Sequence, residues 1–315
     1  MKWVIRLLLA GIAGLAAWIA AGIALDPDPH PPLRIVSPSL TSLAPREIRF
    51  SSGDLRLAGM LFLPEAGTRS VAVIIHGSGA SDRQSPWYLA LTAFLLDAGH
   101  AVLLPDKRGS ESSDGNWRNA SFEDLAQDAL AAIEAARFEV PGAPVGLIGV
   151  SQGGWIAPLA AMRASDLAYV INLSGAAVTP SEQLTFEEVN TLAGLGLPRP
   201  LARLLAPLTA WRIRTLVQPE LWSRIADFDP GPHWAGLRIP ALIVWGAEDE
   251  HDNLPVAASV QRIREVDNPL IEVLVIPGVG HDLTDRKSGR LSATLVRSLA
   301  EFLALAVPVD RGRHD

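Results

Sequence analysis

Short, unbroken apolar runs separated by stretches of helical spacing recur along this chain, and no other feature restricts its fold as tightly. VAVIIHG, HAVLLPD, VGLIGV, YVINLSG, ALIVWGAED and IEVLVIPGVGHD are each apolar over successive residues. A strand with one wetted face alternates apolar and polar side chains. Continuous runs therefore predict strands buried on both faces, as in a parallel sheet. The stretches SPWYLALTAFLLDAG, SFEDLAQDALAAIEAA and SQGGWIAPLAAMRA carry helical spacing. Gly99 ends the first, and Ser121 with Asp124 in the capping-box position opens the second. This alternation predicts an α/β fold, a mostly parallel central sheet with helices on both faces.

Before the alternation begins, REIRFSSGDLRLAGMLFLP reads as two strands joined by a Ser-Gly-Asp turn. Residues 181–228 break the rhythm. They hold no strand pattern but carry leucines, arginines and the aromatics Phe186, Trp211, Trp222 and Phe228, which predicts a helical cap over one end of the sheet. Within it, RPLARLLAPLTAWRIRTLV shows an apolar stripe with basic residues elsewhere. Such a helix lies with its stripe on the core, or presents a basic amphipathic face to anionic lipid. Further helices are expected near Pro255–Glu265 and across Ser288–Leu305. The folded domain is then 46–305, with 306–315 a tail. No repeat of about 20–50 residues is present, which excludes solenoids and propellers.

At the N-terminus, Lys2 and Arg6 precede an uncharged run from Leu7 to Leu25. At about 1.5 Å per residue it nearly crosses a hydrocarbon core of roughly 30 Å. Positive charge at its start predicts that end inside and the body exported, anchored and facing the periplasm or exterior. A signal peptide cleaved near Gly22 and Ala24 is the other reading of 1–25, leaving a periplasmic or secreted protein. Proline-rich residues 26–45 predict an extended linker. Net charge is −7 with no lysine or arginine block, which argues against a nucleic-acid partner. There is no cysteine, so thiol nucleophiles, disulfides and thiolate metal sites are excluded.

In open parallel sheets, ligands bind beyond the carboxyl ends of the strands. Four of these ends carry reactive residues. VGLIGV ends in Gly149-Val150-Ser151-Gln152-Gly153, where glycines on either side let a serine ride a sharp strand-to-helix turn with its hydroxyl raised. The bland alternative is a small residue in a glycine-rich bend. Serine needs a base, and of seven histidines only His281, in Gly278-Val279-Gly280-His281, follows a late strand within a glycine-shaped turn. Asp249, three residues past Gly246 at another strand end, is the expected orienting acid, with Glu248, Glu250 and Asp252 nearby. The N–H of Gln152 and that of Ser78, with Gly79 as second choice, are the expected oxyanion donors. His76 is expected to brace their loop. No metal-ligand spacing such as HExxH occurs, so neither metal nor organic cofactor is implied.

The stretches GDLRLAGMLFLP, HGSGASDR, PDKRGS, GVSQGGWIAPLAA, VWGAED and GVGH together resemble serine hydrolases of the α/β-hydrolase superfamily over about residues 46–305. The likeness is greatest to small carboxylesterases related to dienelactone hydrolases and to prolyl-oligopeptidase catalytic domains. That resemblance implies Ser151, Asp249 and His281 as a triad cleaving small-molecule esters through an acyl-enzyme, without cofactor. Asp106 and Arg108, and Asp82 with Arg83, are expected to form ion pairs that fix loops. Arg83 or Arg108 holding a substrate carboxylate is the sharper alternative. Small-peptide or other acyl hydrolysis is the neighbouring reading, and a membrane-anchored, non-catalytic binding module the one from another class. Haloalkane or epoxide chemistry would usually place aspartate where Ser151 stands.

Overall fold

The computed structural model describes Trp3 and residues 34–308. The anchor or signal read at 1–25, the start of the linker and most of the tail lie outside the described residues. Eight strands form one sheet: β1 (Arg46–Ser52), β2 (Leu55–Phe62), β3 (Val71–Ile75), β4 (Ala101–Pro105), β5 (Val145–Val150), β6 (Leu167–Leu173), β7 (Ala241–Gly246) and β8 (Ile271–Ile276). Their order is β1-β2-β4-β3-β5-β6-β7-β8. β1 and β2 pair antiparallel through the expected Ser-Gly-Asp turn, β2 joins β4 antiparallel, and all remaining pairs are parallel.

For β3 to β7 the continuous apolar runs are explained by burial on both faces, whereas β8, at the edge of the sheet, is only half-buried. In β3, Val71, Val73 and Ile75 belong to one core cluster while Ala72 and Ile74 belong to the other. In β7, Ala241, Ile243 and Trp245 face the first cluster, and Leu242 and Val244 the second. Helices α2 (Phe122–Glu139), α3 (Gly153–Ala161) and α8 (Val256–Val266) cover the first face. Helices α1 (Pro86–Asp97) and α9 (Ala293–Ala306) cover the second. Since β4 and β5 flank β3 on opposite sides, the winding reverses there, and a crevice opens beyond the carboxyl ends of β3 and β5.

Between β6 and β7 the chain forms the expected helical insertion: α4 (Pro180–Gly194), α5 (Arg199–Arg212) and α6 (Pro219–Ile225), followed by the short α7 (Gly231–Gly236). Thr179 caps α4 in a reciprocal box with Glu182. From the same helix, Asn190 Nδ2 donates to the Asp252 carbonyl at 3.1 Å, which ties the cap to the loop after β7. Two details differ from the sequence reading. The last helix begins at Ala293 rather than Ser288, because the Ser292 hydroxyl caps it, accepting from the Leu295 N–H. In α5 the face on the cap interior is Ala202, Ala206 and Ala210, not the leucine stripe, because alanines allow close approach to Leu192 and Leu197. Among the described residues, no helix is long and apolar enough to cross a membrane.

Glycine decides packing where β5 meets β6. A Cβ on Gly146 would fall inside the Tyr169 ring, which is fully buried. Gly146→Ala is therefore expected to lower unfolding free energy by about 1–3 kcal/mol, read as a fall in the urea midpoint at unchanged slope.

Candidate active site

Ser151 stands at the crossing of β5 and α3 with φ +51°, a left-handed conformation that a serine adopts only when its surroundings impose it. Its N–H donates to the Leu173 carbonyl at 2.8 Å, and its own carbonyl accepts from Gly154 at 2.8 Å. A Cβ on Gly149 would lie within the Gly153 backbone, and one on Gly153 against the Ile75 carbonyl. One on Gly154 would meet the Gly175 Cα at 2.7 Å. The turn can therefore be this sharp only with glycine at these positions.

His281 and Asp249 reach this serine from the two strands farthest along the chain. His281 Nε2 lies 3.0 Å from Ser151 Oγ, and Nδ1 lies 2.6 Å from Asp249 Oδ2. The loop carrying His281 rests on the end of β7 because Gly246 has no side chain. A Cβ there would sit 2.5 Å from the Val279 carbonyl. The Glu248 N–H then donates to that carbonyl at 3.0 Å. Asp249 is wholly buried and its Oδ1 has no donor among the described residues, so His281 is its one polar side-chain partner. The nearby Glu248, Glu250 and Asp252 do not reach the imidazole. Trp87 packs edge-on against His281, ring centres 5.7 Å apart.

Burial works to lower the His281 pKa, but the hydrogen bond and charge of Asp249, with Asp252 and Asp282 behind, outweigh it and raise the imidazole above its ordinary value. The pair's contribution to stability is fully present below the pKa of the unfolded histidine and is lost as pH rises through the folded one. Glu187 of α4 also faces this corner. Burial pushes its carboxyl up, against the Gln183 hydrogen bond and the nearby imidazole.

Beside the serine runs the loop after β3. A Cβ on Gly77 would touch the Ser151 Cβ at 3.2 Å, so the loop approaches as closely as glycine permits. The N–H groups of Gln152 and Ser78 make no hydrogen bond among the described residues. That of Gly77 is taken by the Tyr88 hydroxyl at 2.8 Å. Tyr88 thus braces the loop through a hydrogen bond. His76 is buried with Nδ1 unpartnered and packs edge-on against Tyr88, and burial followed by the Lys107 charge depresses its pKa to about 3.

No sequence motif marks Lys107. Its ammonium donates to the Gly77 carbonyl and, at 3.0 Å, to Gln152 Oε1, bridging the loop after β3 to the residue after Ser151. Burial pulls its pKa down to about 7. The arginines nearby are engaged structurally. Arg83 grips Asp106 with both ends of its guanidinium (2.9 and 2.5 Å), and Arg108 grips Asp128 at 2.6 and 2.8 Å. The expected Asp106–Arg108 and Asp82–Arg83 pairs are thus re-partnered: Asp82 instead accepts from the Gln84 N–H. Among the described residues no cluster of three His, Asp or Glu is placed to hold a metal ion. Asp249→Asn is expected to move the His281 titration to lower pH, since burial then outweighs the remaining, more distant carboxylates. Imidazole NMR chemical shifts followed against pH measure this, and an unmoved titration would contradict the assigned cause.

Known proteins share this architecture. Esterase Pf2001 of Pyrococcus furiosus superposes with TM-score 0.62 at 19 % identity, over 88 % of this chain and 98 % of its own. Proline iminopeptidase of Mycobacterium smegmatis does so with TM-score 0.60 at 15 % identity, over 83 % and 98 %. In sequence, the mitochondrial palmitoyl-protein thioesterase ABHD10 of Bos taurus is 24 % identical over 243 residues, 76 % of each chain. Residues 72–293, from β3 to the start of α9, match the model of the alpha/beta hydrolase family, and the chain belongs to that family.

Proposed function

We propose that this protein is a serine hydrolase that cleaves carboxylic esters. The observation that carries the reading is the continuous hydrogen-bonded line from Asp249 through His281 to Ser151, 2.6 and 3.0 Å. Ser151 Oγ attacks the acyl carbonyl while His281 Nε2 takes its proton, and Asp249 holds the imidazole in the required tautomer and steadies its charge. The Gln152 and Ser78 N–H groups receive the oxyanion. The tetrahedral intermediate collapses, His281 returns the proton to the departing alcohol, and a water activated by the same histidine releases the acid. The identical sequence serves an S-acyl ester, the class named for the bovine relative. We further propose that the run from Leu7 to Leu25 anchors the enzyme, with its body exported.

Lys107 belongs to this machinery as a positioning residue. Its bond to the Gly77 carbonyl orients the peptide whose other end is the Ser78 N–H, and its bond to Gln152 restrains the second donor. The first test is hydrolysis of p-nitrophenyl esters from acetate to laurate, and of a palmitoyl thioester, by native protein and Ser151→Ala. Activity on at least one acyl donor that disappears in the variant is expected; equal activity in both would overturn the reading. Lys107→Met is expected to lower kcat by roughly tenfold to a hundredfold with KM little changed, measured on the best ester.

A further inference from the structure

The cap helix α5 has its sides reversed relative to an ordinary surface helix. Small Ala202, Ala206 and Ala210 face the interior, whereas Leu204, Leu208 and Trp211 point to solvent at 74 %, 63 % and 54 % exposure. At spacings of four and three residues these side chains form one outward stripe. The π-helical turn that follows continues it with Leu216 and Val217, 67 % and 54 % exposed. Packing within the domain does not account for this face: α5 is held by its alanines, and Leu204, Leu208 and Trp211 belong to none of the buried clusters. Contiguous exposed apolar area of this kind marks a surface that meets another apolar phase.

Charge identifies that phase. Between Glu188 and Glu220 there is no acidic residue, while Arg199, Arg203, Arg212 and Arg214 all fall there, in a chain of net charge −7. Arg203 and Arg212 are exposed beside the stripe and form no ion pair among the described residues. On the adjoining rim, Trp117 and Arg118 line a groove with Val217, and the Arg118 guanidinium stacks 4.3 Å from the Trp117 ring centre. Leucines and Trp211 in the middle, arginines and Trp117 beside them, and carboxylates only at the rim, where Glu220 lines the groove and Asp227 lies 3.8 Å from Arg214, match the layered chemistry of a bilayer surface bearing anionic headgroups. A second copy meeting the first stripe to stripe would bring arginine toward arginine, with no acid between 189 and 219 to receive them.

We propose that the outer face of α5 and the turn after it is a docking surface for anionic lipid. The inference stands apart from the ester-hydrolysis reading and does not need the N-terminal run to span a bilayer. Its consequence for the site is positional. α5 packs on α4, whose Asn190 is tied beside Asp249, so lipid contact holds the cap over the triad corner.

The chain has no cysteine, which makes the test clean. Full-length protein carrying Leu208→Cys is labelled with an environment-sensitive nitrobenzoxadiazole dye. A control carries the dye at Phe138→Cys, an even more exposed apolar site at the far end of α2. With vesicles of roughly one-third phosphatidylglycerol in phosphatidylcholine, emission at 208 is expected to shift blue and rise about twofold or more. The change should fade at high salt and in Arg203→Ala/Arg212→Ala, and be absent at 138. Four results would each overturn the proposal. One is no response at 208 with protein bound to vesicles. A second is the same response at 138. A third is an equal response to vesicles of phosphatidylcholine alone. The last is a response to protein concentration without lipid, which would assign the face to a second copy.

Discussion

Everything in the site hangs on how closely the backbone of β5 and α3 can cross. Cβ atoms at Gly149, Gly153 and Gly154 would each strike main chain. Their absence lets Ser151 occupy its left-handed conformation, φ +51°, with two backbone bonds holding it there. From that one constraint follow the raised hydroxyl, the free N–H of Gln152 at the start of α3, and the narrow gap that the loop after β3 must fill. Local strain is stored at Ser151 and is sustained because the surrounding strands over-determine its position.

Electrostatics then completes what sterics begins. Among the described residues, Asp249 is fully buried with one polar side-chain partner, and Lys107 is buried with hydrogen bonds to a carbonyl and an amide rather than to a carboxylate. An unpaired charge in low dielectric is costly unless something nearby gains from it. His281 gains from Asp249, shifting toward its charged form. The Gly77–Ser78 peptide is oriented by Lys107. In the proposed mechanism Asp249 stands behind the base and Lys107, when protonated, beside the two proposed oxyanion donors, so the two groups flank Ser151 from opposite sides of the reaction.

Much of this was legible in the chain, for reasons that differ between residues. Strands β3 to β7 announced themselves because burial on both faces removes polar positions, and Ser151, Asp249 and His281 because each follows a strand end shaped by glycine. What escaped notice depends on contacts far apart in sequence. Tyr88 reaches Gly77 from a helix, Lys107 reaches Gln152 from another strand end, and Glu187 leans on His281 from the cap. None has a local pattern that marks it. The cap helix misled differently: leucines at helical spacing look like a core face, and only the position of Leu192 and Leu197 shows that alanines fill that role.

The bond between His281 and Ser151 closes a loop of 130 residues, and it is made by the last strand-end loop of the sheet. Contacts this distant form late, after shorter-range pairing has reduced the entropy of closure. The Asp249–His281–Ser151 line is therefore complete only once the last strand-end loop is in place. If Ser151 is the nucleophile as proposed, a chain emerging from synthesis can hold it on its turn before His281 exists to activate it, so the reactive serine is not presented until the fold around it is finished.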